Sequence, residues 1–219
     1  EAVDDILEAS RLNPTDPLVA KARANALQVR NARLGANVSS EQQAEARQAV
    51  ERAIQLNPRD ASLLSVYADS LGSSDPVKAM ALRQTIQMNS PSVYNAVMLG
   101  KSATEAAQKE TDEHKRKAFF MVAETAFEQA KQMDPSDEFM LESYAAYFRA
   151  RGQNDLARQL LVESNDSRLL WRYYLRVRDF ARARGLLAEL YAKDETKLDA
   201  IKGLLLVAEE TADKQGVKR

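Results

Sequence analysis

Ala49-Val50-Glu51-Arg52-Ala53-Ile54-Gln55-Leu56-Asn57-Pro58-Arg59-Asp60 holds the end of one helix, a corner and the start of another. Ala46, Ala49, Val50, Ala53, Ile54 and Leu56 fall close to one face of a 3.6-residue helix. Pro58 then stops it, because its ring cannot donate a hydrogen bond and disfavours helix in the residue before it. Asp60, two residues past the proline, is placed to cap the next helix. The unit returns as Leu12-Asn13-Pro14-Thr15-Asp16 and as Met133-Asp134-Pro135-Ser136-Asp137, and more loosely as Met88-Asn89-Ser90-Pro91. Four copies of a helix-ending corner are an internal repeat, and an internal repeat predicts stacked supersecondary units.

Working outward from these corners, the chain reads as about twelve helices with no strand. Gly35, Gly72 and Gly152 mark helix ends, and Ser39 followed by Gln42 predicts a capping box. Asp75 caps a helix that opens on Pro76, the position where proline is tolerated. No Gly or Pro lies between Gly100 and Pro135, so only the polar run Thr111-Asp112-Glu113 predicts a turn there. Helix one is expected to bury Val3, Ile6, Leu7 and Ala9. The last helix is expected from Glu195 to Ala212, with Gly216 opening a loop toward a further helix. No linker divides the chain, so residues 1–219 are expected to form one continuous repeat domain. Its ends read as cuts through a longer array.

Composition narrows the functions. The net charge is −1, with 45% hydrophobic and 29% charged residues, which gives no general drive toward nucleic acid or membrane. No apolar run approaches the roughly 20 residues needed to span a bilayer. There is no cysteine and a single histidine, His114. Disulfides and thiolate metal sites are thereby excluded, and no cofactor or metal is expected. His114 lies among charges and reads as a surface helix residue. Gly100-Lys101-Ser102 lacks the upstream glycine of a phosphate loop and reads as a chance match. Without a nucleophile-base set, the chain does not read as an enzyme. Its compartment, cytoplasm or bacterial periplasm, is not specified.

One segment departs from this plain background. Residues 168–184 carry six arginines and four aromatics. Arg168, Arg172 and Arg176 are spaced by four and stack on one helix face. Three readings apply: a solvated stripe over an aromatic core, paired with Glu163, Asp166 or Asp179; a surface for acidic peptide groups, which the guanidinium fork grips at two oxygens; or a platform for single-stranded nucleic acid. The rest of the chain lacks the basic excess that the third requires.

These residues together resemble the tetratricopeptide repeat (TPR) family, a helix-turn-helix unit of about 34 residues. Leu64, Tyr67-Ala68 and Leu71 match its first helix, as do Leu141, Tyr144-Ala145 and Phe148. Ala46, Val50, Ala53 and Pro58 match its second, as do Ala123, Phe127, Ala130 and Pro135, and more briefly Ala157 with Leu161 and Ala183 with Leu187. The resemblance implies an all-α, right-handed superhelical solenoid of antiparallel helix pairs. It also implies a non-catalytic scaffold that binds a protein or peptide on a concave surface, and it leaves homo-oligomerisation open. The arm of a larger enzyme and a bacterial envelope or secretion scaffold are the alternatives. If Asp179 opens a second helix, Arg168, Arg172 and Arg176 occupy the fifth, ninth and thirteenth positions of a repeat. In the family those positions line the groove, with Glu142 and Arg149 contributed by the preceding hairpin. Two features depart from the pattern. Leu12 to Leu56 and Met88 to Met133 span 44 and 45 residues, predicting extra helical turns or a longer loop near Ala24–Gln42, and extra helix across Ala103–Lys117. Trp171 stands where the family prefers a small residue.

Overall fold

The computed structural model describes residues 2–72, 74–193 and 197–216, with side chains for 5–72, 74–193 and 197–211. Among these residues there are twelve α-helices, one short 3-10 turn at Gly35–Asn37, and no strand. The chain divides into two compact units, residues 1–130 and 131–219.

The first unit holds α1 (Ala2–Leu12), α2 (Pro17–Leu34), α3 (Ser40–Leu56), α4 (Ala61–Leu71), α5 (Pro76–Asn89), α6 (Val93–Lys109) and most of α7 (Glu113–Met133). Its boundaries are set by local chemistry. The carboxylate of Asp16 accepts from the N–H groups of Leu18 and Val19, and that of Asp60 accepts from Ser62 and Leu63. Each satisfies donors that a helix start leaves open. Ser39 and Gln42 form the expected capping box at α3. Gly35 and Gly72 end their helices at φ 53° and 41°, a backbone region that side chains avoid. The extra residues of the two long repeats have lengthened helices. α2 and α3 run 18 and 17 residues, and α6 and α7 run 17 and 21, with only residues 110–112 between them outside helix.

Helices pack mainly on their sequence neighbours, as a solenoid requires. Ala24, Leu27, Val50, Ala53, Leu63 and Tyr67 lie in one buried cluster. Small residues set the spacing. A Cβ placed on Gly100 would come within 2.8 Å of the Phe127 ring, so the ring from α7 lies on α6 because Gly100 has none. Gly100 is thereby a packing residue on a helix rather than part of a phosphate loop. In α1 the buried polar position is Ser10, not Ala9, which is exposed; Ile6 and Leu7 are half-buried. The Val3 side chain and the Glu195 start of the last helix lie outside the described residues.

The second unit holds the end of α7 with α8 (Glu138–Ala150), α9 (Asn154–Glu163), α10 (Ser167–Arg176), α11 (Phe180–Tyr191) and α12 (Lys197–Gly216). Asp137, Asp166 and Asp179 cap α8, α10 and α11. α8 pairs with α9 and α10 with α11, while α12 packs on α11. Trp171 is buried where a small residue was expected. Gly203 on α12 makes the room, because a Cβ there would lie 2.5 Å from a Leu187 methyl and 3.2 Å from the Trp171 ring.

Candidate functional site

α10 begins at the Asp166 cap and presents alternating faces. Leu169, Trp171, Tyr173 and Tyr174 are buried, and Arg168, Arg172 and Arg176 fall on the exposed face. The Tyr173 hydroxyl donates to the Asn154 carbonyl at 2.8 Å, tying α10 to the start of α9. Tyr173 and Tyr174 meet edge-on at 5.6 Å.

The arginines face α8. Arg172 donates to the Glu138 carboxylate at 2.7 Å and to that of Glu142 at 3.4 Å. Arg176 lies 3.7 Å from Glu142, and Arg168 lies 2.8 Å from Asp166 and 4.0 Å from Glu138. Of the expected partners, only Asp166 is used by this stripe. Glu163 instead accepts from Gln159, and Asp179 pairs with Arg182. Glu138 and Glu142 take the other arginines because they lie on the first helix of the preceding hairpin. The result is a ladder of alternating charge across α8 and α10, with side chains 24–47% exposed.

Its electrostatics follow from these contacts. The hydrogen bond from Arg168 is the chief reason the Asp166 carboxyl sits below its ordinary pKa, and Asp166 in return raises Arg168. Burial works against the charged form of Arg172, but Glu138 and Glu142 outweigh it and raise its pKa. Arg149, on the last turn of α8, is different. Half-burial, and then the charge of Arg176, push its guanidinium below the ordinary value. Among the described residues no carboxylate pairs with it. The structure therefore brings together Glu142, Arg149, Arg168, Arg172 and Arg176, and adds Glu138 and Asp166. Four cations stand against three acids, with the surplus at the Arg149–Arg176 end.

The remaining candidates stay apart from this face. His114 is exposed in the first turn of α7, its amide donating to Asp112. Among the described residues no three His, Asp or Glu side chains converge as a metal site, and no helix is long and apolar enough to cross a membrane. In the first unit, Met88, Leu99, Met121 and Val122 line an apolar groove. Ser10, Arg23, Glu45 and Arg52 line a polar one.

No family model matches the chain, and no curated protein does either. Solved structures do. TTC0263, a thermophilic TPR protein of Thermus thermophilus, matches with a TM-score of 0.53 at 16% identity, over 77% of this chain and 92% of that one. PilW, a widely conserved type IV pilus biogenesis factor, matches with a TM-score of 0.55 at 18% identity, over 88% and 86%. The fold is that of a TPR protein. Within the second unit α8 packs on α9 and α10 on α11, and Asp179 caps α11. Glu138 escaped notice in the sequence because its role depends on how two repeats stack. Its signal was the spacing Glu138-Glu142, four apart like the arginines it meets.

Proposed function

We propose that this chain is a non-catalytic scaffold that binds another protein, and that the face shared by α8 and α10 takes an acidic segment of it. The observation that carries the reading is Arg149, a half-buried guanidinium beside Arg176 with no acid of its own. A guanidinium in that position gains most from an incoming carboxylate, because charge-assisted bonds strengthen as water is excluded. The paired arginines supply the rest of the face. Their exchange of Glu138 or Glu142 for a partner's acid costs little, since exposed ion pairs contribute about 0–1 kcal/mol each.

The test is binding of an immobilised peptide array, graded in acidic content, to the wild-type chain and to an Arg149→Gln/Arg176→Gln variant. Acidic peptides should be retained by the first and lost by the second, with the loss mimicked by high salt. Equal retention by both would place binding elsewhere. Neutral variants suit this test better than reversal to Glu, which would set new acids against Glu138 and Glu142. A second reading, a scaffold of a bacterial envelope or secretion assembly, is favoured by the likeness to PilW alone. It predicts association with envelope fractions when the chain is expressed with an export signal.

A further inference from the structure

The polar groove of the first unit is a pocket of about 290 Å³ between α1, α2 and α3. Arg23 of α2 and Arg52 of α3 line it, with Ser10, Asn13, Gln48 and one acid, Glu45. The Nε–H of Arg23 is buried and makes no hydrogen bond. Its Nη2 stands 3.9 Å from Glu45, outside hydrogen-bond reach, and Glu45 is held instead by Arg30 at 2.8 Å. Arg52 donates to Gln55 of its own helix at 3.4 Å, and among the described residues no carboxylate pairs with it. A buried guanidinium N–H without an acceptor is unfavourable, so the pocket lacks an oxygen ligand.

The fold does not ask for these charges. Pro91 follows Pro14 by 77 positions, as Pro135 follows Pro58. In that register Glu45, Gln48, Ala49 and Arg52 correspond to Val122, Thr125, Ala126 and Gln129, and Ser10 corresponds to Gln87. These counterparts line the apolar groove of α5, α6 and α7, in the interior of the chain, and no charged residue lines it with them. The repeat therefore makes the recess by itself, and the arginines are particular to its first copy.

We propose that the pocket between α1, α2 and α3 binds the dianion of a phosphate monoester. The charge count selects it. Arg30 neutralises Glu45, so Arg23 and Arg52 leave two positive charges without a counterion. A phosphate monoester carries about −1.5 to −2 near neutral pH and balances both, whereas a single carboxylate balances one. The guanidinium fork matches pairs of phosphate oxygens, and the side-chain amides of Asn13 and Gln48 add further donors. The volume lies near the small end of ligand pockets, with room for the phosphoryl group and a short organic moiety.

Isothermal titration calorimetry of the full 219-residue chain tests the proposal at constant ionic strength, with ligand up to about 10 mM. The ligands are glycerol phosphate, an otherwise uncharged peptide carrying one phosphoserine, and acetate. At least one phosphoryl ligand should bind saturably and acetate should not. Binding of the free ester alone identifies a small metabolite as the source, and binding of the peptide identifies a modified protein. Arg52→Gln, at an exposed position, should weaken binding roughly tenfold, and Arg23→Gln/Arg52→Gln should abolish it with the helical signal intact. Glu45→Gln should tighten it, because a charge of the ligand's own sign is removed. Arg149→Gln/Arg176→Gln should leave it unchanged, which separates this pocket from the α8–α10 face. The proposal is overturned if neither phosphoryl ligand binds, or if acetate binds equally well. It is also overturned by affinity indifferent to Arg52→Gln, weakened by Glu45→Gln, or lost with Arg149 and Arg176.

Discussion

Arginine is used in two opposite ways in this molecule. On α5, Arg83 is 1% exposed, bonded to Asp69 and, at 2.7 Å, to the Ser65 hydroxyl, with its Nε unpartnered. On α10, Arg168, Arg172 and Arg176 are exposed and share Glu138, Glu142 and Asp166. A buried guanidinium has lost its water, so whatever partners it keeps become structurally obligatory. An exposed one can trade its partner for water or for another acid at small cost. The conspicuous arginines are therefore the dispensable ones for the fold, and the inconspicuous one is part of the core.

The largest effect should come from breaking the buried case. Asp69→Ala leaves Arg83 with Ser65 alone, and because the Asp69 carboxylate is itself largely exposed, urea unfolding should show a loss of about 2–3 kcal/mol. Arg83→Met, which removes the charge and keeps the volume, should cost less than ~1 kcal/mol. Equal losses would mean that Arg83 keeps its hydration and that the contrast with α10 is false.

Next come the close contacts beneath each region. Ala68 precedes Asp69, and Ala145 lies under the ladder on α8; both are 3% exposed. Ala→Leu at either should overpack its helix pair by roughly 1–3 kcal/mol. Similar losses would show that packing, not the ladder, governs stability in the second unit. Smaller still is the ladder itself. Arg172→Gln should lower stability by less than ~1 kcal/mol, and by less again at high salt.

The pH profile gives the smallest and most diagnostic effect. Burial alone would raise the Asp60 carboxyl, but the hydrogen bond from Lys21 and the N–H groups of Leu63 and Ser62 outweigh it and hold the pKa below its ordinary value. A carboxyl lowered in the folded state stabilises above its unfolded pKa of about 3.9, and that contribution disappears as pH falls through the folded pKa. Stability should therefore be level near neutrality and fall in acid, and Asp60→Asn should flatten the fall, as read from melting temperatures across pH. The lowered Asp166 acts in the same direction.

The helices were legible because their signals are local. Pro58, Asp60, Ser39-Gln42 and Gly35 each act within a turn or so of their own position, so the boundaries of nearly every helix follow from the residues beside it. The four-residue spacing of Arg168, Arg172 and Arg176 likewise placed them on one face. What stayed hidden depends on stacking. Arg172 meets Glu138 and Glu142 from 34 and 30 positions away, and Gly203 accommodates Trp171 across a similar gap. Arg83 left a faint trace that went unread: Ala79, Arg83, Ile86 and Gln87 share one face of α5, and all four are buried.

The central claim is that the α8–α10 face binds acid while the fold does not depend on it, and one titration addresses both halves. An acidic peptide retained by the array is titrated by fluorescence anisotropy against the wild type and the Arg149→Gln/Arg176→Gln variant, with the helical signal and melting temperature of each recorded on the same samples. The variant should lose affinity at least tenfold, or about 1.4 kcal/mol, with its melting temperature nearly unchanged. Unchanged affinity in a folded variant would contradict the site, and a collapsed variant would contradict the separation of function from fold.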